Sequence, residues 1–356
     1  LLGRKAVTET IRERTERIER EFLSPRATFA SSPLAARDRE EAPCPIRTSF
    51  EIDCHRIVQS KAYRRLKGKT QVFLWPEGDH YRTRLTHCQE VSRIARTLSR
   101  ALRLSEDLAE AIALGHDLGH APFGHAGEAT MQKLLPGGFR HERQSLRVVE
   151  RLENGGEGMN LTRAVRDGIA RHSKGSGPLL AVPDDQLPST LEGQIVRLAD
   201  IAAYVNHDLD DAVRAKVLAP SDIPEPLLDA LGRNSATRLE RLVLDVVRHT
   251  EGGDGPRLLM SAELADALET LRAFLYERVY LDDRVHAEFH KAEDLIERLW
   301  RHFTENLDEF YAVHWPGALR DGTPEDDVRD FVSGMTDAFA VGLHEELFTP
   351  RRWFVL

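Results

Sequence analysis

Apolar residues recur at helical spacing over most of this chain. In 86–102, Val91, Ile94, Ala95, Leu98 and Leu102 fall on one face, the three-and-four spacing that buries one stripe of a helix. Ser105, followed by Glu106 and Asp107, marks the next helix start. A serine hydroxyl there satisfies a free amide, and the carboxylates favour the positive end of the helix dipole. That helix carries Leu108, Ile112 and Ala113 and ends near Gly119 and Pro122. Helical patterns return at 142–153, 161–172 and 190–218, separated by Gly-, Pro- and Asp-rich loops at 154–158 and 173–188. Further helices are predicted at 224–231, 235–250, 261–279, 284–309 and 325–346. No two-residue alternation is sustained over several strands, so the pattern predicts an all-α fold.

The first fifty residues differ. Residues 4–21 alternate Arg and Glu with few apolar positions and predict a solvated helix or arm. Residues 24–50 carry Pro25, Pro33, Pro43 and Pro45 among small residues and predict an extended surface segment. The expected organisation is therefore an N-terminal arm and extended segment over 1–49, a helical core over 50–220, and a helical C-terminal region over 221–356 packed on that core.

At 356 residues the chain is long enough to bury a sizeable core. No apolar run approaches the length of a membrane span, and the charged N-terminus does not read as a signal peptide. The expectation is a cytoplasmic protein with no membrane partner. Cys44, Cys54 and Cys88 form neither a CxxC pair nor a disulfide framework. The net charge of −9 argues against wholesale coating of nucleic acid. An acidic chain that binds polyphosphate must concentrate Lys and Arg at the site, with a cation to help.

The candidate chemistry is densest in Ala113-Leu-Gly-His-Asp-Leu-Gly-His-Ala-Pro-Phe-Gly-His-Ala-Gly-Glu128. His116, Asp117, His120, His125 and Glu128 crowd one helix end and the loop after it. A charged group in so apolar a segment must be paired, hydrogen-bonded or bound to metal. His116 and Asp117 differ in direction by about 100° on a regular helix, so they share an ion only at a helix end or edge. Further ligands must come from other elements. His87, at the start of an amphipathic helix, and Asp200, interrupting the apolar face of 194–204, are the candidates. Two imidazoles and two carboxylates make a mixed nitrogen and oxygen site suited to a divalent ion. Mn²⁺, Mg²⁺, Fe²⁺, Co²⁺, Ni²⁺ and Zn²⁺ all remain open.

His87…His116-Asp117…Asp200 resembles the metal signature of the HD-domain phosphohydrolases, and more narrowly their deoxyguanosine triphosphate triphosphohydrolase-like branch. The matching text runs through Tyr63-Arg-Arg-Leu-Lys-Gly-Lys-Thr-Gln-Val-Phe73, Arg82-Thr-Arg-Leu-Thr-His87, the His116–Glu128 stretch, Phe139-Arg-His-Glu-Arg-Gln-Ser145 and Leu198-Ala-Asp-Ile-Ala-Ala-Tyr-Val-Asn-His-Asp-Leu-Asp-Asp211. Glu51-Ile-Asp-Cys-His-Arg56 and Leu74-Trp-Pro-Glu-Gly-Asp-His-Tyr81 depart from the family pattern. The resemblance implies an HD-type helical core, a catalytic pair at His125 and Glu128, and a phosphate contact at His141. It also implies a homo-oligomer, plausibly a hexamer, and activation by deoxynucleotides.

Other residues are read partly from spacing. Arg84, three before His87, projects along the same face and suits a phosphate. His120 is expected on the phosphates rather than the metal. Asp200, Tyr204 and Asp208 fall at i, i+4 and i+8 and form one stripe, on which a nucleotide could lie with its triphosphate at the metal. Tyr204 would wall off the deoxyribose, and Asp208 would hold a sugar hydroxyl or orient a phosphate-binding base.

The expected activity is metal-dependent hydrolysis of deoxynucleoside triphosphates to deoxynucleoside and inorganic triphosphate. One alternative is another HD-type phosphatase or phosphodiesterase. A second is a nucleotide-sensing or single-stranded nucleic-acid-binding protein, favoured by the basic and aromatic tail Pro350-Arg-Arg-Trp-Phe354.

Overall fold

A computed structural model of the chain describes residues 9–71, 82–173, 182–251, 253 and 255–350, apart from the side chains of residues 204–205 and 283–285. The departing stretch 74–81, the tail beyond Pro350 and the side chain of Tyr204 lie outside it. The fold is all-α. Among the described residues the β-type pairing is a single bridge between Thr70 and Thr83.

Helices follow in the order α1 (Ile11–Phe22), α2 (Ser49–Gln59), α3 (Lys61–Arg65), α4 (Arg84–Ala101), α5 (Glu106–Gly115), α6 (Gly124–Leu134), α7 (His141–Arg147) and α8 (Arg163–Arg171). They continue through α9 (Leu191–Arg214), α10 (Glu225–Leu231), α11 (Ser235–Glu251), α12 (Ala262–Leu275), α13 (Asp283–Glu305), the single turn α14 (Leu307–Glu309), α15 (Pro324–Ser333) and α16 (Asp337–Phe348). Caps set many of the starts. Thr83 accepts from the Thr86 amide to begin α4, and Ser105 accepts from the Leu108 amide to begin α5.

Two apolar cores hold the helices. The larger joins α2, α4, α5, α8 and α9 and extends onto α10–α12 through residues such as Ile57, Leu98, Ile112, Ile169, Ile195 and Leu271. Truncating any of these fully buried aliphatics to Ala costs about 2–5 kcal/mol. The smaller core joins α6 to α13, α15 and α16 around Met131, Ile296, Phe303, Phe310 and Val332. The helices from 224 onward thus split between the two cores, and the candidate site lies where they face each other.

Several elements differ from the periodicity reading. The pattern 142–153 is α7 followed by a π-helical turn, Val148–Leu152. Residues 261–279 likewise end in a π turn, Tyr276–Tyr280. The single helix expected over 325–346 is two, because Thr336 caps a new start by accepting from the Phe339 amide. The expected surface segment 24–50 is partly inside: Ala27, Ala30 and Ala35 are buried, and the Thr28 amide and hydroxyl donate to buried Glu192. The N-terminal helix is not wholly solvated either, since Glu16 and Glu19 are buried. The departing segment 51–56 lies on α2, where buried Asp53 accepts from the Thr162 amide at 2.9 Å and its hydroxyl at 2.7 Å.

Candidate active site

The segment 116–124 turns out of α5 and back into α6, and its backbone is held from several sides. Ser145 donates its hydroxyl to the His116 carbonyl at 2.7 Å and accepts from the Gly119 amide at 2.9 Å. A Cβ at Gly119 would lie 2.1 Å from the Ser145 nitrogen, so only glycine allows this approach. Phe123 adopts φ 62°, a conformation that costs a side-chain-bearing residue about 1–2 kcal/mol. Its amide is fixed by Asp337, 2.9 Å away on α16, and its ring is buried in the smaller core. Buried Lys69 donates to the carbonyls of His120 and Ser333. The C-terminal helices therefore buttress the turn that carries the chemistry.

Around this turn four predicted ligands converge. His87 from α4 and Asp200 from α9 meet at 3.0 Å between Nε2 and Oδ1. His116 Nε2 lies 3.4 Å from Asp117 Oδ1 and 3.8 Å from Asp200 Oδ1. The Nδ1 of His116 stands 2.7 Å from the Ala113 carbonyl, which can only accept. That bond puts the proton on Nδ1 and leaves Nε2 as a bare lone pair. No group among the described residues satisfies this buried Nε2. A lone pair with two carboxylates and a second imidazole beside it is the donor set of a divalent metal, and the residues fit one.

The electrostatics are matched to that set. Burial works against the charged form of Asp117, but His116, Arg84, His120 and His87 outweigh it and hold the carboxyl far below its usual range. Asp200 is likewise held down, with its His87 hydrogen bond opposing the cost of burial. Arg84, which lines a cavity, donates Nη1 to Asp117 Oδ2 at 2.7 Å, while its buried Nε has no partner among the described residues.

That cavity measures about 1080 Å³ and is walled by α4, the 116–128 turn, α7 and α9 on one side. On the other side stand α12, the π turn and α13, through Arg272, Tyr276, Tyr280, Phe289 and Glu293. It exceeds what a nucleotide-sized ligand needs.

Glu128 and His125 part company here. Glu128 accepts from the backbone amide of His141 at 2.9 Å and from its Nδ1 at 2.8 Å. Burial disfavours the charged form of each, but their mutual attraction overcomes it, taking Glu128 down to about 2 and His141 up to about 9. His141 is therefore an imidazolium at neutral pH. Its Nε2–H points at His172 Nε2, 3.1 Å away, and its ring stacks on His120 at 4.2 Å. His120 also approaches Asp117, at 3.6 Å. Burial and the charges of Arg84 and His141 keep His120 neutral. His125 opens onto the cavity, where burial and the Arg84 charge lower its pKa, and its ring meets Tyr280 edge-on at 5.9 Å.

Comparison with known proteins gives the family. Residues 84–204 match the HD domain model, and residues 258–346 match the phosphohydrolase-associated domain model. A deoxyguanosinetriphosphate triphosphohydrolase-like protein of Caldanaerobacter subterraneus subsp. tengcongensis is 50% identical over 344 residues, covering 97% of each chain. A protein of the same description from Desulfatibacillum aliphaticivorans is 48% identical over 348 residues, covering 96% of this chain and 99% of that one. A third, from Clostridium perfringens, is 43% identical.

The chain belongs to the deoxyguanosinetriphosphate triphosphohydrolase-like family. It is an HD-type phosphohydrolase.

Within this HD core, sequence reasoning passed over His172. Its Nδ1 donates to the Ile169 carbonyl at 2.8 Å, the same arrangement that His116 makes with Ala113. Its Nε2 is therefore a lone pair too, and burial, aided by the nearby His116 and His141, lowers its pKa to about 3. The rings of His116 and His172 stand 4.8 Å apart. The available signal was positional: both histidines follow directly on the last residue of a helix, with an apolar residue three positions before.

The expected α9 stripe is only partly described. Asp208 is buried rather than on the cavity wall, and accepts from the hydroxyl of Tyr280, which does line the cavity. Burial raises Asp208 to about 7. No helix among the described residues is long and apolar enough to cross a membrane.

Proposed function

We propose that this HD-type phosphohydrolase cleaves deoxynucleoside triphosphates to deoxynucleoside and inorganic triphosphate, with a divalent cation held by His87, His116, Asp117 and Asp200. The observation that carries the reading is the bare, buried Nε2 of His116, flanked by Asp117 and Asp200, which line a cavity large enough for a nucleotide. When bound, the cation supplies Lewis-acid stabilisation of phosphoryl charge and lowers the pKa of water. The printed description of the relatives, deoxyguanosinetriphosphate triphosphohydrolase-like, supports the substrate class.

The chain's own residues then divide the work. Arg84, through the donors not used on Asp117, and the His141 imidazolium neutralise phosphate oxygens. His120, neutral and stacked on His141, offers Nδ1 as a further phosphate contact. His125, neutral and open to the cavity, takes a proton from the attacking water. Water oxygen bonds the α-phosphorus as its bond to the 5′-oxygen breaks, and the proton ends on that departing oxygen. Glu128 serves by fixing His141 in charge and direction. Contact with the sugar is assigned to Tyr204 by family resemblance, and Asp208 serves there through Tyr280, which lines the cavity. Assembly into a homo-oligomer and activation by deoxynucleotides are part of the same proposal, and rest on family resemblance.

The test is purified protein incubated with the four deoxynucleotides, singly and mixed, with each candidate divalent metal and chromatographic analysis of products. Release of inorganic triphosphate supports the proposal. Orthophosphate, pyrophosphate or an unchanged substrate pool under every condition refutes it.

A further inference from the structure

A second histidine cluster lies at the edge of the smaller core, away from the cavity lining. His302 occupies the last turn of α13, Glu309 ends α14, and His314 ends the π turn Phe310–His314 that follows. One ring nitrogen of each imidazole and a Glu309 oxygen all lie within 4.8 Å of one another, and His314 meets Glu309 through Nε2. The Nε2 atoms of both rings are buried and have no hydrogen-bond partner among the described residues. Two buried imidazole nitrogens beside one carboxylate, with neither satisfied among the described residues, leave a polar deficit at the edge of the smaller core.

We propose that His302, Glu309 and His314 form a metal site, taking zinc or a similar divalent transition ion and pinning the end of α13 to the chain that follows. Two imidazoles and a carboxylate are a known zinc set, with water in the fourth position. Donor atoms around a tetrahedral zinc stand roughly 3.3 Å apart, so binding draws these groups together by about 1 Å. His314 Nε2 is now 4.0 Å from Glu309 Oε1. The rings cannot swing away freely, because Phe303 packs on His314 at 5.1 Å and Phe348 on His302 at 5.7 Å. The free carbonyls at the C-terminal end of α13 also favour a cation there.

The site is independent of the catalytic reading. Glu293, on the cavity wall, is nine residues before His302 on the same helix, about 14 Å along its axis. An ion at His302 stiffens α13 and so steadies that wall without touching substrate.

The experiment separates the two sites by blanking the catalytic one. Full-length protein carrying His116→Ala and Asp117→Ala is stripped with chelator, titrated with Zn²⁺, and assayed for bound metal and thermal stability. The proposal expects one zinc per chain and a thermal transition raised by roughly 3–5 °C. Adding His302→Ala and His314→Ala abolishes both, while Glu309→Gln, at an exposed position that leaves the fold intact, weakens zinc by at least about tenfold. Co²⁺ in place of zinc gives the visible absorption of a four-coordinate site. The proposal is overturned if the blanked protein takes up no stoichiometric zinc, or if zinc uptake survives loss of both histidines or is unaffected by Glu309→Gln.

Discussion

Glu128 grips His141 twice, through its backbone amide and its ring, reaching from within α6 to the first residue of α7. The arrangement holds His141 as an imidazolium, and in the proposed mechanism His125, which lines the cavity, is the group that moves a proton. Changing Glu128 to Gln keeps an acceptor for the amide but removes the charge that holds the ring protonated. We expect kcat to fall about 10²–10⁴-fold with KM changed far less. Steady-state kinetics on the variant checks this; equal loss in KM alone would point to a binding role instead.

Metal dependence is the second prediction. Stripping the protein with chelator should abolish hydrolysis, and a divalent ion should restore it. In Asp200→Asn, the carboxylate that meets both His87 and His116 is lost, so affinity for the catalytic ion should fall at least about tenfold. Isothermal titration with Mn²⁺ and recovery of activity measure the two together.

Gly119 tests the packing of the catalytic turn. A methyl group there would overlap the Ser145 nitrogen and the Gln144 carbonyl carbon, at 2.1 and 2.3 Å. Backbone on both sides cannot yield cheaply, so Gly119→Ala should destabilise by about 2–4 kcal/mol and lower activity. Gly137, with nothing within 4 Å of its Cβ position, is the control and should tolerate Ala. Chemical denaturation of the pair gives the comparison.

Glu19 should govern part of the pH dependence of stability. Burial, with help from Asp107, Glu16 and Glu51, raises its pKa to about 7. The folded state therefore holds this proton more tightly than the unfolded chain does. Its contribution to stability is full below about pH 4.5, falls as pH rises toward 7, and stays low above that. Glu19→Gln removes the penalty, so its melting temperature should match the parent near pH 4.5 and exceed it by roughly 2 °C or more at pH 8. Thermal scans at the two pH values decide the matter.

The sequence made α4, α5 and α9 legible because each carries a continuous apolar stripe. His87, His116, Asp117 and Asp200 stood out because charge interrupts those stripes. What local pattern could not supply is partnership across loops. The resemblance paired Glu128 with His125, three residues before it, whereas the folded chain hydrogen-bonds it to His141. His172 shares with His116 its place just after a helix, but its burial and its closeness to the His116 ring appear only in the fold. Lys69 and Asp337 reach the catalytic turn from opposite ends of the chain, and their role exists only in three dimensions. The break between α15 and α16 is hidden because apolar residues continue through it, and Thr336 reveals it only once its cap is seen.

Hydrolysis in ¹⁸O-labelled water, with a deoxynucleotide mixture and the activating metal, tests the central claim most directly. Attack at the α-phosphorus predicts one labelled oxygen in released inorganic triphosphate and none in the deoxynucleoside. Label in orthophosphate or pyrophosphate, or in the sugar hydroxyl, would contradict it.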